Sequence, residues 1–260
     1  MNLCARWLGH PLTRGLDLDD PRTTELRLRI IREKSFLRQI YTEWYTSIAS
    51  ALPMGQGPVL ELGSGGGFLG DVIPDLITSD VVSCQGIRMA MNAAQFPFCA
   101  RSLRAIVMTN VLHHLPEPRR FFAEAASCVM PGGVIVMVEP WMTRWSRWVY
   151  TRLHHEPCEP AAPVWEFRSS GPLSGANEAL AWIIFERDRA RFETEFPMWR
   201  IERIAPTMPF RYLLSGGVAL RSLMPGWTFE TWRWIERCLE PWMETWAMFA
   251  LIVLARNREC

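Results

Sequence analysis

Neither sign of charge dominates this 260-residue chain: 28 basic side chains stand against 27 acidic ones, a formal net charge of +1. With no basic excess and no long basic tract, nucleic acid is not an expected partner. Long apolar runs are missing too. The longest uninterrupted one, Trp246 to Ala255, is about half of the ~20 residues that a spanning helix needs. The opening Met1–Trp7 carries no apolar core of a secretory leader, so a cytoplasmic protein is expected. The seven cysteines, at 4, 84, 99, 128, 158, 238 and 260, are odd in number and form no C-x-x-C pair, which points to reduced thiols. Internal repeats and low-complexity segments are absent. What remains is 49% apolar and 21% charged, a globular chain long enough for one α/β domain with insertions or for two small domains.

The chain turns on Pro58-Val-Leu-Glu-Leu-Gly-Ser-Gly-Gly-Gly-Phe-Leu-Gly70. Val59, Leu60 and Leu62 read as a buried strand, which breaks into glycines at 63, 65, 66 and 67 and is expected to continue as a helical turn or two before Pro74. Strand, glycine turn and helix open a nucleotide-binding βαβ unit, because glycine admits positive φ and lets a ligand approach the backbone. A dinucleotide fingerprint asks for G-x-G-x-x-G directly after the strand. Here Phe68 stands where its third glycine belongs, and the version formed by Gly65, Gly67 and Gly70 starts too late.

With Glu61 inside the strand end, the pattern E-x-G-x-G-x-G resembles motif I of the class I S-adenosylmethionine (SAM) dependent methyltransferases. The resemblance implies that Gly63, Ser64, Gly65 and Gly67 wrap the amino-acid end of SAM while Glu61 orients loop and ligand. A second block follows. Arg104–Asn110 reads as a strand running into Val111-Leu-His-His-Leu-Pro116, then a helix opened by Pro118, then Pro131-Gly-Gly133 and a strand at Val134–Val138. This block is similar to the type-11 branch of the same family, and the resemblance covers roughly residues 55–140.

Between the two blocks, Leu76–Val82 reads as the second strand, with Asp80 near its end and Val81 beside it. Asp80 lies 17 residues beyond Gly63, close to the ~20-residue offset at which a carboxylate meets ribose hydroxyls in doubly wound folds. Ile87–Phe98 looks like the family segment whose acid accepts from the adenine amino group; Asn92 holds that position and Ala93 follows it. Ahead of the glycine loop, Pro21–Leu52 has helical periodicity. The resemblance implies that such a helix closes over the cofactor, with Tyr41 reaching it. Gly63, Asp80, Asn92, Asn110 and Glu139 then all fall at the carboxyl ends of strands, where a parallel sheet holds its ligand.

The expected architecture is a Rossmann-like, doubly wound and mostly parallel sheet. An N-terminal arm and helix occupy residues 1–54, and the methyltransferase domain 55–260. Insertions at about 141–198 and 206–244 form a helical, Trp-rich cap between the late strands. All of the thirteen tryptophans except Trp7 and Trp44 lie at or beyond Trp141. Such a cap suits a small, apolar acceptor of the lipid, quinone or polyketide kind; contact with a membrane interface is not favoured. Methyl transfer to a hydroxyl calls for a proton acceptor, and His113, His114 and His154 are the candidates. No resident metal is expected, since adjacent residues such as His154 and His155 point apart in any regular element. A SAM-binding protein without catalysis, its aromatic cap holding a partner or a membrane surface, is the alternative. An NAD-dependent oxidoreductase is a weaker one. Acceptor identity and oligomeric state are not encoded in any spacing.

Overall fold

The computed structural model describes residue 10 and residues 21–153, 156–169, 171 and 175–258. Two helices open it, α1 (Pro21–Glu33) and α2 (Ser35–Ser50). The periodicity predicts one continuous helix, but Lys34 leaves helical geometry with φ −80° and ψ 93°. Its ammonium donates to the carbonyls of Gly217 and Leu220 at 2.5 and 2.8 Å, and these bonds anchor the break. α2 buries Phe36, Leu37, Ile40, Tyr41, Trp44, Tyr45 and Ile48, the stripe that a 3.6-residue period brings to one side. Each fully buried aliphatic side chain there stabilises by about 1.5–3 kcal/mol.

The sheet has seven strands: β1 (Val59–Leu62), β2 (Ile77–Asp80), β3 (Met89–Ala90), β4 (Leu103–Thr109), β5 (Val129–Pro140), β6 (Trp199–Thr207) and β7 (Phe249–Arg256). Their order is β3-β2-β1-β4-β5-β7-β6. The first five run parallel, and β7 is antiparallel to both β5 and β6. Strand order reverses between β1 and β4, which makes their carboxyl ends the switch point at which a ligand crevice forms. Burial on both faces explains the near-continuous apolar runs of β4, β5 and β7.

Helix α3 (Pro118–Cys128) connects β4 to β5 with Pro118 in its first turn. β5 begins at once, at Val129, earlier than the expected Val134, and Pro131-Gly-Gly133 forms a bulge between the pairs Leu103–Val129 and Ala105–Val134. A Cβ on Gly133 would lie 2.6 Å from the Arg104 carbonyl oxygen, so only glycine fits.

The helical turn expected after the glycine loop is short: a single 3-10 turn, Leu69–Asp71, stands between β1 and Pro74, and no α-helix forms there. Gly70 and Pro74 leave too few residues for a helix to nucleate. The loop therefore has no helix N-terminus to offer an anion.

The β5–β6 connection holds α4 (Arg144–Arg152), α5 (Leu180–Trp182, continued by a π-helical turn at Ile183–Arg187) and α6 (Arg189–Glu195). Between β6 and β7 lie α7 (Arg211–Ser215), α8 (Phe229–Cys238) and α9 (Met243–Trp246). Tryptophans in these connections divide into buried ones (Trp141, Trp165), half-buried ones (Trp145, Trp182, Trp232) and exposed ones (Trp148, Trp227, Trp234, Trp242, Trp246). Trp145 stacks on Trp148 at 5.5 Å, and its indole NH donates to Pro209 O. Among the described residues no helix is long and apolar enough to cross a membrane.

The late helices are tied to α2 by a buried ion network. The Arg211 guanidinium, 2% exposed, donates to both carboxylate oxygens of Glu43 at 2.7 and 2.8 Å and through Nε to Glu236. Glu236 also accepts from the backbone of Phe210 and Arg211. Removing one member strands a charge inside the protein. Arg211→Ala is expected to lower the unfolding free energy by about 3–5 kcal/mol, measured as the urea midpoint at constant slope. Arg211→Lys restores little of it, because an ammonium cannot bridge Glu43 in two places.

Candidate functional site

The site is built where the loops after β1, β2 and β4 meet. Gly63 sits at φ +66°, and a Cβ there would come within 2.4 Å of Val111 Cγ2, so the first and fourth loops touch directly. Short bonds stitch β1 to β2: Ser64 N donates to Ser79 O at 2.8 Å, Ser79 N to Ser64 Oγ at 3.0 Å, and Ser79 Oγ to Glu61 O at 2.7 Å. The loop amides are directed inward. Gly65 N donates to Asp80 Oδ2 at 3.0 Å, Gly67 N to Ser64 O at 2.7 Å, and Phe68 N to Tyr45 Oη at 3.4 Å.

Helix α1 lies on the same loop. A Cβ on Gly65 would meet Thr24 Cγ2 at 2.5 Å and Asp80 Oδ2 at 2.6 Å; one on Gly66 would meet Arg27 Cβ at 3.1 Å. Thr23 and Thr24 are buried by this contact. Nothing in their sequence marks them as site residues, since a threonine pair at a helix start reads as an ordinary terminus.

The positions expected from the sequence fall as follows. Glu61 is 4% exposed, and burial, with a smaller push from Asp80, raises its carboxyl to about 7. Asp80 closes β2, its second oxygen accepting from Val82 N at 3.2 Å. Val81 beside it is exposed. Asn92 is exposed next to half-buried Ala93; its Oδ1 accepts from Ala94 N at 2.8 Å, and Met91 N ties the segment to Asp80 O at 2.9 Å. Asn110 adopts φ +57° at the end of β4 and contacts the buried Tyr41 hydroxyl. Asn110 Oδ1 and Thr109 Oγ1 are buried there without a protein partner. Buried polar atoms without partners are costly, and their position at the switch point suits a ligand that satisfies them. His154 lies outside the described residues.

A second cluster follows β4 directly. Glu139, 0% exposed at the end of β5, accepts from Val111 N and Leu112 N at 2.8 Å each and from His113 Nδ1 at 2.7 Å. The His114 ring packs against that of His113, centroids 4.1 Å apart, and its Nδ1 donates to Gly175 O at 3.0 Å. Both Nε2 atoms face Glu156 Oε2, at 3.7 Å from His113 and 3.9 Å from His114. Asn177 clamps the two ends of this stretch: its Oδ1 accepts from Glu159 N at 2.9 Å, and Glu178 N donates to Pro157 O at 3.0 Å. Glu178 is thereby held beside Glu156.

The electrostatics sort these groups. For His113 burial opposes charge, but Glu178, Glu139 and Glu156 outweigh it and hold the imidazole protonated well above its usual range. His114 is pushed down to about 4 by burial and by the charge of His113. Burial works against ionised Glu156, yet the positive charge of His113 3.7 Å away keeps it well below the usual carboxylate range. Glu178 is pushed up to about 8, by burial first and by the Glu156 charge, so it is the protonated member of the pair. Of the two expected bases, His113 is therefore committed to Glu139, and His114 is the neutral imidazole. Glu139 was visible in the sequence as an acid ending an apolar strand. Glu178, 65 residues from His113, left no signal.

Residues 60–137, from β1 to β5, match the family model described as a methyltransferase domain, type 11. No curated protein matches the chain. Among solved structures, geranyl diphosphate C-methyltransferase from Streptomyces coelicolor A3(2) is similar at 12% identity and a TM-score of 0.52, with 96% of this chain and 87% of that one covered. That crystal also contains S-adenosyl-L-homocysteine. A structure of the complex between the Haloferax volcanii Trm112 methyltransferase activator and a methyltransferase gives a TM-score of 0.52 at 11% identity, covering 94% of this chain and 99% of that one. At such identities the likeness speaks for the fold alone, which is Rossmann-like. The glycine loop at the carboxyl ends of the strands and the matched segment make residues 60–137 similar to a class I, type-11 methyltransferase domain, and SAM-dependent methyl transfer is the activity that this match indicates.

Proposed function

We propose that the chain methylates an oxygen of a small, mostly apolar molecule. The observation that carries this reading is the largely buried cluster His113, His114, Glu139, Glu156 and Glu178, which follows Asn110 and is set within connections rich in apolar and aromatic side chains. Such a setting suits an apolar body with one polar atom at its inner end. The cofactor's amino-acid end rests on Gly63, Ser64, Gly65 and Gly67 with Glu61 beneath, and Tyr41 and Asn110 close over it. Asp80 takes the ribose hydroxyls, giving up its bond to Gly65 N, while Val81, Asn92 and Ala93 border the adenine. Residues 141–198 and 206–244 act as the cap that selects the acceptor.

The sulfonium methyl is already activated, so alignment of donor and acceptor and exclusion of water supply most of the acceleration. As the C–O bond forms and the C–S bond breaks, the acceptor's hydroxyl proton is drawn off at the His114–Glu156 end. Incubation of the full chain with SAM and a panel of hydroxylated terpenoid, quinone and polyketide acceptors, read by mass spectrometry, tests this; S-adenosylhomocysteine binding without any O-methylated product would defeat it. Asp80→Ala should raise the dissociation constant for S-adenosylhomocysteine at least tenfold while the circular dichroism melt holds. An unchanged constant would remove Asp80 from the ribose.

A further inference from the structure

We infer that His113 Nε2, His114 Nε2 and Glu156 Oε2 form a site for one divalent transition-metal ion, which receives the acceptor's oxygen. The inference deepens the function proposed above and rests on it for the ion's role, though not for its binding. Three observations lead here. First, the three atoms lie within 4.8 Å of one another, with the carboxylate oxygen 3.7 and 3.9 Å from the two ring nitrogens. Those separations are too long for hydrogen bonds. They are only a few tenths of an ångström above the roughly 3.3–3.4 Å between ligands in a tetrahedral site with bonds of about 2.0–2.1 Å.

Second, both rings are oriented as metal-binding imidazoles are. Nδ1 of His113 bonds the Glu139 carboxylate at 2.7 Å and Nδ1 of His114 bonds the Gly175 carbonyl at 3.0 Å. Each outer acceptor fixes the ring with its Nε2 toward the common centre, the outer-shell arrangement that raises ligand basicity; His114 offers its lone pair directly, and His113 does so once the incoming ion displaces its Nε2 proton. Third, two carboxylates flank the pair of rings, Glu139 behind His113 at 2.7 Å and Glu156 in front of both, so a dication held between them meets compensating negative charge.

Two imidazoles and one carboxylate favour a borderline ion such as zinc over magnesium or calcium, which prefer oxygen throughout. Three protein ligands leave one or two coordination positions for a further oxygen. An acceptor hydroxyl bound there is acidified by the ion, which accounts for loss of its proton without a strongly basic side chain. The expectation of no resident metal rested on the adjacent pair His154 and His155. The fold instead brings Glu156 to His113 and His114 across 42 residues.

The full chain, stripped with a chelator and exchanged into clean buffer, is titrated calorimetrically with zinc and, in parallel, with magnesium. The expected result is one equivalent of zinc bound at micromolar or tighter affinity and magnesium at least a hundredfold weaker. Cobalt should give a nitrogen–oxygen visible spectrum with no thiolate charge-transfer band, which separates this site from the cysteines. His114→Ala and Glu156→Gln should each weaken zinc at least tenfold while S-adenosylhomocysteine affinity stays within twofold. No zinc binding, a thiolate spectrum, or affinity indifferent to both variants overturns the metal site, even where cofactor binding is intact. Loss of cofactor binding by the unmutated chain would count against the methyl-transfer reading, not against the metal.

Discussion

Glu139→Ala is expected to remove about 3–5 kcal/mol of folding free energy, a large part of what a domain of this size has to lose. The carboxylate is fully buried, and its partners belong to the loop after β4: Val111 N, Leu112 N and, at 3.4 Å, His113 N, with His113 Nδ1. Alanine leaves these three backbone donors without that acceptor and a protonated imidazole without its counter-ion. Each orphaned amide alone costs about 1–3 kcal/mol. Glu139→Gln separates the two contributions. Its carbonyl oxygen still accepts from Val111 N and Leu112 N, but its NH2 now faces the Nδ1–H of His113, donor against donor. It should fall between wild type and alanine. Urea unfolding of all three proteins decides the matter, and a loss under 1 kcal/mol for alanine would show that the loop finds other partners. Cofactor affinity should fall with stability, because Val111 is the residue that packs against Gly63.

That loop also shows how far the sequence could be read. The buried stripe of α2, the strand before Gly63 and the runs of β4 and β5 were legible, since each is set by local period; Pro131-Gly-Gly133 was legible as a break after the helix but not as a bulge within β5. Asp80 and Asn110 were legible as strand-end polar groups for the same reason. Contacts between elements were not. Lys34 reads as one more solvated basic residue of a long helix, and only the carbonyls of Gly217 and Leu220, far along the chain, make it a break. Arg211, Glu43 and Glu236 each look like a surface charge until the fold stacks their three helices. The helical segment after the glycine loop stops at one 3-10 turn for a reason that the sequence contains: Gly70 and Pro74 leave too little chain between them. Glu178 meets His113 only because Asn177 ties its segment back to Glu159.

Glu61→Gln should stabilise the cofactor-free protein at pH 8 by about 3 kcal/mol and at the same time weaken S-adenosylhomocysteine binding at least tenfold. Burial raises the Glu61 carboxyl from 4.5 to about 7. A folded-state value above the unfolded one means that the folded protein holds its proton more tightly. Stability from that proton is complete below pH 4.5, declines between 4.5 and 7, and is gone above 7. The groups facing Glu61 do not reverse the sign: Asp80 on β2 adds to the rise, and the Tyr45 phenol from α2 stays uncharged at these pH values. Only the Ser64 hydrogen bond opposes it. Glutamine has no proton to lose, so its stability should be flat across that window, meeting wild type near pH 4.5 and exceeding it at pH 8. Cofactor binding should run the other way. The ammonium of the amino-acid moiety favours ionised Glu61, so wild-type affinity rises as pH climbs from 5.5 to 8, with proton release on binding near the lower end. In the glutamine variant it does neither. Thermal melts at both pH values and calorimetry in two buffers of different ionisation enthalpy read the two halves separately. Equal stability of the two proteins at pH 8 would mean that Glu61 ionises without strain. Equal cofactor affinity would move the amino-acid end of SAM away from it. Should both effects appear, the glycine loop keeps a buried acid that costs the empty protein stability because the bound cofactor uses its charge.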